Sequence, residues 1–228
     1  MKKLLLLLLL SLSFVGSVYA SCTQDFNIED LYSLDNKIAL GKLVPLAEQG
    51  NVDASYTIGL IYKTGGKGVL KDFEQTVNWF TKAAEQESIL ALRQLGYVYY
   101  DGASGNEKNN HKAFTYFKLA ADKGDIDSQT MVAAMYLRGH GVAKDIEQGI
   151  NWYTKVADQG NTWAMDWIGR IYKDDSMGVP QDSEKAFFWF TKAAEQGNKR
   201  AQFELSLISS EEYIISTDRG CPQGCKTG

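Results

Sequence analysis

The residues with the chemistry to cut a bond or hold a metal are few in this chain, and their spacing does not bring them together. Its two histidines are His111 and His140. His111 follows the expected first residue of a helix, and His140 lies between Gly139 and Gly141 in a loop. Neither has a ligand-spaced partner, so both read as solvated side chains rather than general bases or metal ligands. No Gly-x-Ser-x-Gly or phosphate-loop pattern occurs, and Gly65-Gly66-Lys67-Gly68 is accounted for by a turn that recurs along the chain. The neighbouring carboxylates Asp174-Asp175 belong to a loop. From the sequence the protein is expected to be no enzyme, with no cofactor and no metal.

Three cysteines remain: Cys22, Cys221 and Cys225. Cys221 and Cys225 flank Pro222-Gln223-Gly224, a turn that could close a small disulfide ring. Two thiolates without two further ligands make a poor zinc site, which leaves the staple as the favoured reading. A disulfide needs an oxidising compartment, and the N-terminus points to one. Lys2-Lys3, the apolar run beginning at Leu4, and Val18-Tyr19-Ala20 have the order of an export signal over residues 1–20, with cleavage between Ala20 and Ser21. Cys22 also admits a lipid-anchored reading, which Tyr19, in the slot usually held by Leu, disfavours. The expected destination is the periplasm or the exterior.

The whole chain carries 24 basic and 28 acidic residues, a net charge of −4 that becomes −6 once Lys2 and Lys3 leave with the signal. No basic stretch is dense enough to follow a phosphate backbone, which argues against nucleic acid as a partner. Nothing after residue 20 approaches membrane-spanning length.

The elements that position side chains are visible as an internal repeat. Trp79-Phe80-Thr81-Lys82-Ala83-Ala84-Glu85-Gln86 recurs unchanged from Trp189 to Gln196, with Tyr116-Phe117 and Trp152-Tyr153 leading related segments between them. The aromatic leader thus falls at 79, 116, 152 and 189, in steps of 37, 36 and 37. A small residue keeps the same step at Gly59, Gly96, Ala133 and Gly169, a tyrosine at Tyr62, Tyr99, Tyr136 and Tyr172, and a helix-capping residue at Asp72, Asn109, Asp145 and Asp182. Ala54, Ile58 and Tyr62 are four apart and line one helical stripe. Glycine inside a helix costs about 1 kcal/mol relative to alanine, so its recurrence points to close packing. Gly65, Gly102 and Gly139 fall at the offset of left-handed helix caps, with Asp175 in that place in the fourth copy. Asp72-x-x-Gln75 and Asp145-x-x-Gln148 have the form of capping boxes, and Gly50, Gly124, Gly160 and Gly197 close the second helix, with Glu87 interrupting the column.

The expected fold is all-α, a right-handed α/α superhelical solenoid of antiparallel helix pairs. Its segments are a signal at 1–20, an N-terminal stretch with a half-repeat at 21–52, and full repeats at 53–88, 89–125, 126–161 and 162–198. A capping helix at 199–209 and a loosely ordered tail at 210–228 complete it.

This pattern resembles the Sel-one-like repeat, a relative of the tetratricopeptide repeat. The fourth copy carries it most fully, with Ile168-Gly169, Tyr172, Gly178-Val179, Asp182, Lys185-Ala186, Trp189-Phe190 and Lys192 through Gly197. The likeness spans about residues 37–207. The second copy departs most, with Gly105-Asn106-Glu107 in place of Gly-Val and Tyr116 in place of Trp. The resemblance implies an adaptor that holds other proteins. A cysteine-rich branch linked to β-lactam binding pairs cysteines within each repeat. The absence of cysteine from 23 to 220 sets this chain apart from that branch.

A binding face follows from helix geometry. On the first helix of each repeat, positions beside the core stripe would line the concave surface of such a stack: Tyr56, Leu60 and Lys63; Arg93, Tyr97 and Tyr100; Thr130, Ala134 and Leu137; Trp163, Asp166, Arg170 and Lys173. Aromatic and arginine side chains dominate binding hot spots, which selects Arg93, Tyr97, Trp163 and Arg170 as the protein-binding candidates. The same positions could instead pack against neighbouring repeats. Trp79, Trp152 and Trp189 belong to the structural column and are expected in the core. The expected function is an exported, non-catalytic adaptor for a protein or peptide. The alternative is an envelope enzyme or a receptor for a small ligand such as a peptidoglycan fragment or β-lactam.

Overall fold

The computed structural model describes residues 35–66, 68–102, 108–175 and 177–218. The proposed signal, its Ala20–Ser21 junction, Cys22, Cys221 and Cys225 lie outside the described residues. Among those described there are ten helices: α1 Asn36–Glu48, α2 Val52–Thr64, α3 Phe73–Glu85, α4 Ile89–Asp101, α5 Asn110–Asp122, α6 Ile126–Arg138, α7 Ile146–Asp158, α8 Thr162–Lys173, α9 Ser183–Glu195 and α10 Lys199–Asp218. None is long and apolar enough to cross a membrane. The chain divides into two compact units between Ala83 and Ala84.

In the first unit Ala39, Leu43 and Ala47 of α1 pack with Ala54, Ile58 and Ile61 of α2 and with Trp79 of α3. The second unit has a larger core, in which Phe117, Tyr153 and Phe190 are its bulkiest fully buried side chains. Burying each such ring contributes about 1.5–3 kcal/mol. Here α4 packs on α5, α6 on α7 and α8 on α9, and each pair meets the next through α5 with α6, α7 with α8 and α9 with α10.

The recurring columns acquire physical causes. The three glycines of the small-residue column each face the second aromatic of their own repeat. A Cβ added at Gly59, Gly96 or Gly169 would lie 2.5, 2.6 or 2.7 Å from a ring carbon of Phe80, Phe117 or Phe190. The Asp/Asn column caps the second helix as expected, with carboxylate or amide oxygens accepting from the amides of Gln75, Lys112, Gln148 and Lys185. The reciprocal half of the capping box is replaced. The backbone N–H groups of Asp72, Asn109, Asp145 and Asp182 donate instead to the carbonyls of Tyr62, Tyr99, Tyr136 and Tyr172, at 2.8–3.0 Å. Each repeat thereby closes on its own tyrosine column. The lysine three residues after the tryptophan lies over its ring, as Lys82 on Trp79 and Lys155 on Trp152, at 4.1 and 3.9 Å. Trp79 and Trp152 are buried, whereas Trp189 is only half-buried.

Three local expectations change. Gly102 and Gly139 adopt left-handed caps, but Gly65 pairs φ 67 with ψ −163. In the fourth repeat α8 stops at Lys173 and Asp174, not Asp175, forms its C-cap in extended backbone. The last helix does not end at 209 but continues to Asp218.

Candidate functional site

The first helices of the second unit carry the candidate face, and α8 carries its most exposed part. The cap that begins α8 is Asn161, whose side chain accepts from the Ala164 amide at 3.0 Å. Ala164, Ile168 and Ile171 then bury one side of the helix, which turns Trp163, Trp167 and Arg170 toward its flank. Trp163 is 46% exposed, and its ring lies 5.5 Å from Trp167 and 6.0 Å from Tyr153. Trp167 stacks nearly parallel on Tyr153, with an angle of 3° between the planes. The Arg170 guanidinium sits 4.5 Å from the Trp167 ring centre. Tyr153, α7's contribution to this platform, is buried. Burial pushes its phenol up to about 12, with Arg138 pulling the other way.

The other candidates fare differently. Tyr97 is half-buried, edge-on to Phe117 at 5.0 Å, and burial raises its phenol above the ordinary range. Arg93 is engaged inside the protein: its guanidinium donates to Asp125 at 3.0 Å and to Asp127 at 2.6 Å. A shallow groove of about 540 Å³ adjoins this pair and is lined by Ile89, Lys123, Gly124 and Ile126 as well.

Two positions assigned to the exposed stripe are buried. Leu137 packs where Gly149 leaves room, since a Cβ on Gly149 would lie 2.6 Å from Leu137 Cδ2. Asp166 is 1% exposed. Its Oδ2 lies 3.8 Å from Arg200 Nε, and its Oδ1 is buried with no hydrogen-bond partner among the described residues. Asp166 and Arg200 occupy the repeat positions of Arg93 and Asp127, so one inter-repeat ion pair occurs twice with its polarity reversed.

Burial raises the Asp166 carboxyl above the usual carboxylate range, while Arg200 and Arg170 oppose the shift. The folded protein therefore holds this proton more tightly than the unfolded chain does. Its stability must fall as pH rises from the ordinary aspartate range through the folded value. Asp166→Asn should raise stability by about 1 kcal/mol at neutral pH and by progressively less under acidic conditions. Urea unfolding at the two pH extremes reads this out. An Asn variant weaker than wild type at neutral pH would show instead that the Arg200 pair dominates.

The histidines stand where a loop meets a helix. His111 is exposed, with Nδ1 3.2 Å from the Gly141 carbonyl, to which it donates in the Nδ1-protonated tautomer. His140 is half-buried, 6.5 Å from the Tyr100 ring. No group of three His, Cys, Asp or Glu side chains able to hold a metal occurs among the described residues.

Trp167 and Arg200 escaped the sequence reading. The usable signal was the spacing Trp163-x-x-x-Trp167-x-x-Arg170, which puts two indoles and a guanidinium on adjoining turns of one helix.

A helix-pair repeat with this glycine–aromatic closure defines a solenoid of the tetratricopeptide-like class. The family model described as Sel1 repeat matches residues 52–88, 89–125, 126–161 and 164–198, and the chain belongs to that family. Its members are generally non-catalytic scaffolds for protein–protein interaction. No curated protein matches the sequence. Among solved structures, a protective antigen of uropathogenic Escherichia coli displaying an SLR fold is similar at 32% identity and a TM-score of 0.64, over 74% of this chain and 36% of the antigen. A Sel1 repeat protein from Oxalobacter formigenes is similar at 32% identity and a TM-score of 0.58, over 73% of this chain and 65% of that one. The chain thus spans about a third of the antigen and just under two thirds of the second protein. The all-α solenoid class expected from the repeat is the class of these structures.

Proposed function

We propose that the protein is an exported, non-catalytic interaction module that grips a partner protein or peptide through the first-helix face of its repeats. The supporting observation is Trp163, exposed on a platform of Trp167 and Tyr153 with Arg170 beside it. Large amphipathic side chains held rigid by their neighbours lose little entropy on binding, the usual property of a hot spot. Of the four candidates, Trp163 and Arg170 carry this reading, whereas Tyr97 stands at Arg170's repeat position on α4, half-buried against Phe117. Arg93 contributes by setting the spacing between repeats.

Export rests on the leader-like residues 1–20, and the protein should be recovered outside the cytoplasm with Ser21 at its N-terminus. Immobilised wild-type protein should capture a specific partner from envelope or culture-supernatant extract. Trp163→Ala should weaken that capture by about thirtyfold while the protein stays folded. Undiminished capture by a folded Trp163→Ala protein would place the interface elsewhere.

A further inference from the structure

The charge around this platform is opposite in sign to that of the chain. Helix α8 and residues 199–208 of α10 carry four basic side chains, Arg170, Lys173, Lys199 and Arg200, against two acidic ones, Asp166 and Glu204, in a protein of net charge −4. Two of the four are matched: Lys173 bonds Glu204 at 2.7 Å, and Arg200 approaches Asp166. Lys199 is a solvent-exposed surplus. Arg170 is a surplus of another kind. Among the described residues its guanidinium meets no carboxylate or carbonyl at hydrogen-bond distance, and it is held over the Trp167 indole. The indole face restrains a cation without occupying its N–H donors. Asp166 repels an incoming anion only weakly, because it is almost fully covered and Arg200 stands beside it.

We propose that Arg170, held over Trp167 and flanked by the exposed Trp163, receives a carboxylate side chain from an acidic segment of the partner, whose neighbouring apolar residue packs on Trp163. A planar guanidinium with free donors forms paired, charge-assisted hydrogen bonds to a carboxylate, which a lysine in its place would not. The indole beside it supplies apolar area and excludes water from those bonds. The partner segment thus carries a carboxylate with an apolar residue near it. This rests on the interaction face proposed above and assigns it a ligand chemistry.

The test uses the folded full chain and a short fluorescein-labelled peptide in which Glu alternates with Leu and Phe, read by anisotropy beside its Gln isostere. The Glu peptide should bind saturably and the Gln peptide about tenfold or more weakly. Arg170→Gln should bring the Glu peptide down to the Gln level, Arg170→Lys should fall between, and Lys199→Gln, which removes only an undirected charge, should cost clearly less than Arg170→Gln. Thermal melting of each variant controls for folding. Equal binding of the two peptides, no binding of the Glu peptide, or an equal loss from Lys199→Gln would overturn the assignment. Those results would leave the interaction face itself standing, because its own test is the capture lost on Trp163→Ala.

Discussion

Phe117→Ala should cost about 3–5 kcal/mol, among the largest single effects expected in the second unit. The ring is completely buried. Tyr97 and Tyr100 meet it edge-on at 5.0 and 6.5 Å, and Gly96 presents bare backbone to its Cγ, Cδ1 and Cε1 atoms. That last contact yields a sharper expectation. Alanine at a helix-interior glycine ordinarily gains about 1 kcal/mol. At Gly96 the new methyl would sit 2.6 Å from Phe117 Cδ1, and overpacking of that kind costs about 1–3 kcal/mol. Gly96→Ala alone should therefore destabilise. Placed on Phe117→Ala the same methyl enters the vacated space, and the double variant should be more stable than Phe117→Ala by about 1 kcal/mol. Urea unfolding of the four proteins measures this change of sign. If Gly96→Ala stabilises both backgrounds, the glycine column has another cause.

The sequence announced that column without announcing what filled it. Recurrence shows that a position must be small; only geometry shows that an aromatic ring from the paired helix is the reason. The carbonyl bonds from the tyrosine column to the Asp/Asn amides were invisible for a related reason, since they are made by backbone and no side-chain pattern records them. The caps of the first helices, Asn51, Ser88, Asp125, Asn161 and Asn198, do the same work with three residue types, too mixed to stand out as a column. The candidate face was partly legible. Trp163 and Arg170 stand at its surface as their helical positions require. Leu137 and Asp166 were misplaced because projecting a stripe treats every repeat alike. Gly149 opens a space for Leu137 that no other repeat has, and Arg200 allows Asp166 to be covered.

Arg93→Ala should destabilise the protein by about 1–3 kcal/mol, because it strands Asp125, whose side chain is 10% exposed and keeps only its capping bonds to Ser128. The more informative variant exchanges the charges. Since Asp166–Arg200 is the same contact with opposite polarity, Arg93→Asp with Asp127→Arg copies an arrangement the protein already uses. It should fail, remaining well below wild type in stability. The helix facing Arg93 is capped by a charged residue, Asp125, which would then confront a second carboxylate. The helix facing Asp166 is capped by neutral Asn198. The polarity of the pair is therefore set by the cap as well as by the residue two positions after it. Adding Asp125→Asn keeps the capping acceptor, removes the repulsion and should recover most of the loss. Thermal unfolding of the double and triple variants decides the matter. Full recovery by the double would show that the cap's charge is not felt at position 93. If the triple is no better than the double, burial of the new carboxylate, not its neighbour, sets the cost.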